Sequence, residues 1–155
     1  MTGEGRERGA AAEETARAAA AAMWAGDKAS RGLGMSLDSV GPGRARLTMT
    51  VRPDMVNGHD ICHGGFVFTL ADSAFAFACN SYDRRTVAQG ADIVFVAPAR
   101  LGDVLVAEAV ERTRSGRSGV YDVTVTDATT GAVVAEFRGR SREIPGTLVA
   151  ERSPE

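Results

Sequence analysis

The chain has 155 residues, a formal net charge of -2, and acidic and basic residues interspersed along its length. A chain of this size is expected to form one domain that buries roughly 70% of its unfolded surface. The mixed charges leave no basic stripe for nucleic acid or an anionic membrane, so the expected partners are small molecules or copies of the chain itself.

The two cysteines, Cys62 and Cys79, do not form the paired framework of a disulfide-rich secreted domain. The apolar stretch from Ala18 to Trp24 is short, rich in alanine and preceded by charges, which is typical of neither a signal peptide nor a membrane span. We therefore expect a cytoplasmic protein.

The first residues, Met1 to Gly9, are charged and contain glycine, which predicts a frayed terminus. The alanine-rich segment from Ala10 to Ala25 has favourable helix propensity and predicts a flanking helix that Gly26 and Asp27 end. Residues 1–30 are thus expected to lie outside the main domain.

Two extended runs follow, Met35–Val40 and Arg44–Val51, on either side of Gly41-Pro42-Gly43. In the second run, apolar residues alternate with polar ones, so the pair predicts a hairpin with one buried face. The apolar residues of that run are Ala45, Leu47, Met49 and Val51.

After a polar segment, residues Phe66–Cys79 are apolar on nearly every side and predict an enclosed helix. Four further extended runs complete the pattern: Val87–Val96, Val104–Arg112, Val120–Asp127 and Ala132–Ile144. This order predicts an α+β fold in which an antiparallel sheet curves around one central helix. A doubly wound parallel sheet would lack its crossover helices.

Asp72 is the most informative residue of the predicted helix, because its neighbours three and four positions away offer it no partner. Those neighbours are Phe68, Thr69, Phe75 and Ala76. Burying a lone carboxylate costs several kcal/mol, so a chain that keeps one there is expected to use it. The alternative is a solvent-facing acid on an imperfectly buried helix.

His63-Gly64-Gly65 stands where this helix begins, and two glycines leave the first backbone amides unobstructed at the positive end of the helix dipole. Such an end can hold an oxyanion. The alternatives are a tight entry turn for the glycines and a structural cap for His63. Asn57-Gly58 is a turn pair whose amide could also position a water or a carbonyl.

Metal-ligating residue types occur at His59, Asp60, Cys62 and His63, but the separated second ligand pair of common zinc modules is missing, so no metal site is predicted.

Other catalytic motifs are also missing from the sequence. Cys79 has no histidine near it in sequence and is interpreted as a packing residue. The sequence has no serine-hydrolase elbow, P-loop or dinucleotide fingerprint, which argues against three large enzyme classes.

Three motifs together, Asn57-Gly58, His63-Gly64-Gly65 and Leu70-Ala71-Asp72, closely resemble the hotdog-fold acyl-CoA thioesterases of phenylacetic acid degradation. Further matching segments are Ala74-Phe75-Ala76, Ala78-Cys79-Asn80-Ser81, Gly119-Val120-Tyr121-Asp122 and Phe137-Arg138-Gly139. The similarity covers roughly Met35 to Gly146 and implies a hotdog domain over residues 31–146, followed by a tail over residues 147–155.

The resemblance implies that the long helix is wrapped by the sheet, that two chains form one continuous sheet, and that dimers pair into tetramers. It implies that Asp72 is the nucleophile or general base and that the Gly64 amide polarises the thioester carbonyl. His63 and Asn57 would assist in orientation. Each site would take Asn57, His63 and Gly64 from one chain and Asp72 from the other.

The resemblance also implies that Arg114, Arg117, Ser118 and Gly119 lie near the nucleotide of coenzyme A, although an ordinary exposed basic turn is an equal alternative. The expected substrate is an aryl-acetyl-CoA such as phenylacetyl-CoA or a hydroxylated derivative, with coenzyme A as part of the substrate and no separate cofactor. Two other functions stay open: a non-catalytic acyl-CoA sensor, and an enoyl-CoA hydratase or dehydratase on the same fold. The alanine-rich N-terminal extension and the segment Asp83-Arg84-Arg85 are not diagnostic of the family.

Overall fold

The computed structural model describes residues 2–150. In chain order, its helices and strands are α1 (Gly3–Gly26), α2 (Lys28–Gly32), β1 (Ser36–Gly41), β2 (Arg44–Thr50), α3 (Gly64–Cys79), β3 (Thr86–Phe95), β4 (Val104–Ser115), β5 (Ser118–Asp127) and β6 (Val133–Glu143). A short 3₁₀ helix, Pro53–Met55, lies between β2 and α3. The predicted hairpin, central helix and four later strands are confirmed, with ends shifted by up to three residues.

The strands form one antiparallel sheet in the order β1-β2-β4-β5-β6-β3. Strands β1 and β3 are therefore its two edges. Helix α3 packs against one face of this sheet, mainly on β2, β4 and β5. The predicted α+β architecture, an antiparallel sheet around a central helix, is confirmed.

The alternation of side chains along the strands explains why α3 is enclosed. In β2, Leu47 and Met49 are buried beneath the helix while Arg44 and Arg46 point outward. The other strands present the same kind of inward row: Leu105, Ala107 and Ala109 from β4, Tyr121, Val123 and Val125 from β5, and Ala135 and Phe137 from β6. Each large apolar side chain buried here contributes about 1.5–3 kcal/mol to folding.

Gly139 of β6 sets how closely α3 approaches the sheet. A Cβ atom on Gly139 would stand 2.8 Å from the ring of Phe75, which is buried on α3. The same ring lies 5.6 Å from the ring of Tyr121 and 5.9 Å from that of Phe137, measured between centroids. Phe75 therefore fills a slot that exists only because residue 139 has no side chain.

Helix α1 begins earlier than predicted. The segment from Gly3 to Gly9, expected to fray, continues the helix, although its one ion pair, Arg8 with Glu4 at 4.0 Å, is fully exposed and weak. Glutamate and arginine are good helix formers, and extending an anchored helix is easier than starting one. No helix within residues 2–150 has both the length and the apolar character that a membrane crossing requires.

The anchor of α1 is its alanine face, which is buried at Ala16, Ala19 and Ala20. Glu13 receives a hydrogen bond from Arg44 of β2 at 2.7 Å, and the ring of Trp24 lies 6.0 Å from that of Phe77 on α3. The N-terminal region is therefore packed on the domain.

A chain of hydrogen bonds joins α2 to α3. The Asp27 carboxylate caps α2 by accepting from the backbone N–H of Ser30 at 2.9 Å and from the Ser30 hydroxyl at 2.7 Å. The Ser30 hydroxyl is also 2.8 Å from the hydroxyl of Ser73. Ser30 is buried, so this contact fixes α2 against the helix residue that follows Asp72.

The C-terminal segment is fastened to the turn after α3. The Asp83 carboxylate accepts from the backbone N–H groups of Leu148 and Val149 at 2.9 and 3.0 Å. The Arg85 N–H donates to the Gly146 carbonyl at 3.0 Å. The predicted tail is therefore tied down as far as Val149, and its last residues, 151–155, lie outside the described residues.

The close packing of the Phe75 ring on Gly139 leads to a prediction about stability. Gly139→Ala is expected to lower the free energy of unfolding by about 1–3 kcal/mol, because the added methyl group overlaps the buried Phe75 ring. Urea denaturation measures the change. Gly26→Ala is the matched control, since a Cβ at Gly26 meets nothing within 4 Å; that variant should be neutral or slightly more stable. Equal stability of the two variants would contradict the packing argument.

Candidate active site

The start of α3 presents one free backbone donor. His63 is the N-cap, and its Nδ1 accepts a hydrogen bond from the Gly65 N–H at 2.9 Å. The His63 carbonyl accepts from the Phe66 N–H at 3.0 Å. Among residues 2–150 nothing accepts from the Gly64 N–H. The expectation that both glycine amides are unobstructed is therefore wrong for Gly65, whose amide is used by the cap.

This hydrogen bond also determines which ring nitrogen of His63 carries the proton. A ring nitrogen that accepts a hydrogen bond carries no proton, so His63 holds its proton on Nε2 in this arrangement. His63 is exposed at the protein surface. It therefore keeps an Nε2–H donor at the start of α3, the positive end of the helix dipole.

The loop before the helix is built around Asn57. Its Oδ1 accepts from the N–H of His59 at 2.9 Å and from that of Ile61 at 3.4 Å. Because both partners are donors, the oxygen must face them, and the amide nitrogen is the atom left over. Within residues 2–150 no acceptor is found for that Nδ2. The turn interpretation of Asn57 is therefore correct, and the side chain still keeps a donor to spare.

Two backbone bonds hold this loop in place. The His63 N–H donates to the Met55 carbonyl at 2.8 Å, and the Cys62 N–H donates to the Ala99 carbonyl at 2.7 Å. The loop is thereby attached both to the 3₁₀ helix and to the segment after β3. The helix start cannot shift without breaking these bonds.

Asn57 and Gly64 line one cavity of about 520 Å³. The remaining lining is almost entirely apolar: Ile61, Cys62, Val67, Phe95, Val96, Ala97, Pro98, Ala99 and Val134. The ring of Phe95 lies against Gly64, with carbon atoms 2.8–3.3 Å from where a Cβ of Gly64 would stand. A few polar donors at the mouth of an apolar cavity are typical of a site that binds an apolar group by a polar end.

Asp72 lies on the same helix but outside this cavity. Its side chain is half-buried, and burial raises the pKa of its carboxyl, with no charged or hydrogen-bonding partner acting on it within residues 2–150. Gly64 and Asp72 are eight residues apart on α3. At a rise of about 1.5 Å per residue, their backbones are about 12 Å apart along the helix axis. Within one chain, the two groups cannot contact the same carbonyl.

The segment with metal-ligating residue types is not arranged around a metal. His63 uses Nδ1 for the cap, and the Cys62 thiol is buried with a raised pKa and donates to the His63 carbonyl at 3.6 Å. In the part of the chain that the structure describes, no three histidine, cysteine, aspartate or glutamate side chains are placed to hold a metal ion.

Cys79, at the other end of α3, is also unsuited to nucleophilic chemistry. Burial raises the pKa of its thiol to about 12, so almost none of it is thiolate near neutral pH. Its interpretation as a packing residue agrees with this environment.

The four residues predicted to contact the coenzyme nucleotide line a narrow cleft beside Cys79. The Arg114 guanidinium lies 3.5 Å from the centroid of the Tyr82 ring and donates to Glu111 at 2.8 Å, so it is held by the protein itself.

The other three predicted residues differ in exposure. Gly119 is buried, and a Cβ there would stand 2.7 Å from the Ser141 hydroxyl, whereas Arg117 and Ser118 are exposed. The cleft and the Gly64 cavity lie at opposite ends of α3 and do not meet within one chain.

Two features of the structure go beyond the sequence predictions. Glu111 accepts from the hydroxyls of Tyr82 at 3.1 Å and Tyr121 at 2.9 Å, a network that no local pattern signals. The other feature is Phe95 in the cavity wall. Its signal is present in the sequence, because the five consecutive apolar residues Ile93–Ala97 break the alternation expected of a half-buried strand.

Comparison with known proteins assigns the family. The family model of the thioesterase superfamily matches residues 59–134. The acyl-coenzyme A thioesterase PaaI of Escherichia coli (strain K12) is 43% identical over 130 residues, which is 84% of this chain and 92% of that protein.

Solved structures agree with this assignment. The E. coli PaaI protein from the phenylacetic acid degradation operon superimposes with a TM-score of 0.85 at 42% identity, over 87% of this chain and 97% of that one. A point mutant of the phenylacetic acid degradation protein PaaI from Thermus thermophilus gives a TM-score of 0.73 at 35% identity, over 76% of this chain and all of that one (100%). The chain therefore has the hotdog fold and belongs to the thioesterase superfamily, within the PaaI family of acyl-coenzyme A thioesterases.

Proposed function

We propose that the protein hydrolyses the thioester of an aryl-acetyl-CoA, such as phenylacetyl-CoA or a hydroxylated derivative, in a homodimer with shared sites. The observation that carries this proposal is the pair of incomplete groups on α3: a free N–H at Gly64 and, within residues 2–150, an unpartnered, half-buried carboxylate at Asp72. Each has half of the chemistry that acyl transfer needs, a donor for the carbonyl oxygen and a group that attacks or activates water. The E. coli PaaI protein comes from the phenylacetic acid degradation operon, which supports the aryl-acetyl substrate class.

A second copy of the chain removes the separation between these groups. If two α3 helices lie antiparallel about an axis near Phe68, Asp72 of one chain stands level with Gly64 of the other, because both are four residues from position 68. Asp72 lies on a stripe of α3 that the single chain leaves partly uncovered, together with Gly65, Thr69 and Ala76. Positions spaced three and four apart share one face of a helix.

The edge strand β3 offers the sheet-pairing surface for such a dimer. Its outer edge has no partner strand within residues 2–150, and Val87 and Val94 are 44% and 64% exposed. Unpaired strand edges with apolar side chains are natural pairing surfaces. Two copies of β3 joined across a two-fold axis would extend the sheet and cover these residues. Pairing of dimers into tetramers rests on the family resemblance.

In the proposed reaction, the thioester oxygen accepts from the Gly64 N–H, and the donors of His63 and Asn57 orient the acyl group. Asp72 of the other chain then either attacks the carbonyl carbon or removes a proton from an attacking water. The carbon–sulfur bond breaks and coenzyme A leaves as its thiolate, which gains a proton from solvent. If an anhydride forms, water hydrolyses it, so both routes give one carboxylic acid and one free thiol. The exposed Arg117 and Ser118 are proposed to lie near the nucleotide of the coenzyme.

Asp72→Asn is expected to lower kcat for phenylacetyl-CoA by about 10²–10⁴ without weakening the fold. Burial raises the pKa of this acid, so the folded chain binds its proton more tightly than the unfolded chain does. The ionised form therefore opposes folding above the raised pKa, and the neutral amide should leave the free energy of unfolding unchanged or higher near neutral pH.

Thiol release from phenylacetyl-CoA and urea denaturation give the two measurements for this variant. Asp38→Asn on β1 is the matched control, since Asp38 bonds to Thr48 away from α3 and its loss should leave turnover unchanged. Near-normal turnover of Asp72→Asn, or lost stability that accounts for its inactivity, would reject the catalytic role. Binding of phenylacetyl-CoA by the wild-type chain without thiol release would favour the sensor, and turnover of an enoyl-CoA without thiol release the hydratase.

A comparison of two substitutions isolates the Gly64 N–H. Alanine and proline both add a Cβ that presses on Phe95, but only proline removes the donor. Residue 64 is the first residue of α3, where proline is well tolerated, and His63 has the extended ψ of 130° that a following proline requires. Gly64→Pro is therefore expected to have a kcat about 10²–10³ below that of Gly64→Ala. Equal thiol release by the two variants would show that this amide does not stabilise the oxyanion.

Mixing two inactive variants tests the shared site. A dimer of one Asp72→Asn chain and one Gly64→Pro chain contains one site with both groups intact and one site with neither. Random exchange at equal concentrations should therefore restore about a quarter of wild-type activity, since about half of the dimers are mixed and each has one working site. The measurement is thiol release after unfolding and refolding the variants together, with each refolded alone as control. Failure to recover activity, with mixed dimers verified by mass, would contradict a site built from two chains.

A further inference from the structure

The position of Phe95 assigns it to the cavity rather than to the outer surface. Phe95 is the last residue of β3 and pairs with Ala135 of β6. Cross-strand partners project on the same face of a sheet, and Ala135 is buried under α3. Phe95 is therefore the last of the inward-facing residues of β3, after Ala91 and Ile93, which pack against the core.

Unlike those two neighbours, Phe95 remains 53% exposed, because it stands at the mouth of the cavity where the sheet ends. Its ring lies directly on Gly64. A carbonyl oxygen within hydrogen-bonding distance of the Gly64 N–H, about 3 Å, would bring the first carbons of the acyl group against this ring. Asn57 also lines this cavity, and Phe95 is the aromatic side chain of the lining.

We propose that Phe95 is the residue that selects the acyl group, favouring acyl groups with an aromatic ring close to the carbonyl over straight chains of similar size. This inference rests on the proposed function and adds the side chain that determines substrate preference. Offset-stacked or edge-to-face contact with a substrate ring supplies the preference, and a straight chain gains only ordinary burial against the same wall.

The test uses Phe95→Leu, which keeps an apolar wall but removes the aromatic face. The ratio of kcat/KM for phenylacetyl-CoA to that for hexanoyl-CoA is expected to fall by about 2- to 12-fold, mostly through KM. Acetyl-CoA, whose acyl group has one methyl carbon and no ring to set against this wall, should lose less kcat/KM than phenylacetyl-CoA does. Val110→Ala, a 50% exposed position on β4, is the control and should leave the ratio unchanged.

Binding provides a second measurement that does not depend on turnover. In an Asp72→Asn background, Phe95→Leu is expected to raise the Kd of phenylacetyl-CoA by the same factor and to leave that of hexanoyl-CoA nearly unchanged. An unchanged ratio in an active enzyme would overturn the assignment. So would an equal loss with all three substrates, because Phe95 would then only support the helix start. Absence of thiol release by the wild type with every substrate would instead overturn the proposed function itself.

Discussion

Helix α3 can be apolar on nearly every side only because the sheet wraps around it, and this enclosure positions every group of the candidate site. The inward rows of β2, β4, β5 and β6 hold the helix, and Gly139 admits the ring of Phe75 so that the two layers come close. Interiors packed to crystalline density leave little freedom for a helix to rotate or slide. The Gly64 amide, the His63 cap and the Asp72 carboxylate therefore have fixed positions relative to one another.

In a single chain, the Gly64 amide and the Asp72 carboxylate are too far apart to act on the same carbonyl. The donor at the helix start and the acid two turns later face different surroundings, and each lacks the other. Asp72 is half-buried and has no partner within residues 2–150, which is costly for the isolated chain, and the unpaired edge of β3 is an exposed liability. In the proposed dimer, association of two chains would resolve both problems at once, so assembly and catalysis would depend on the same surfaces.

Much of the fold and part of the candidate site could be predicted from the sequence, because local helix and strand geometry determines these features. Helical spacing alone showed that Asp72 has no partner within α3, and strand alternation identified the row under the helix. What the sequence could not predict are contacts made only when the sheet closes. Phe95 meets Gly64 only after β3 pairs with β6, and Arg114 turns to Glu111 and Tyr82 near a register irregularity in β4. The use of the Gly65 amide by His63 depends on one side-chain rotamer, and the early start of α1 on packing far downstream.

The hydroxyl contact between Ser30 and Ser73 connects the N-terminal region, which contains the alanine-rich helix α1 and the short helix α2, to α3. Ser73 follows Asp72 on α3, so the hydrogen bond between the two serine hydroxyls holds α2 against the turn of α3 that contains Asp72. The Asp27 carboxylate in turn accepts from the Ser30 hydroxyl, so the N-terminal region is tied to α3 through Ser30. Loss of this contact would therefore change how α3 is held next to Asp72, although no described residue of the N-terminal region lines the Gly64 cavity.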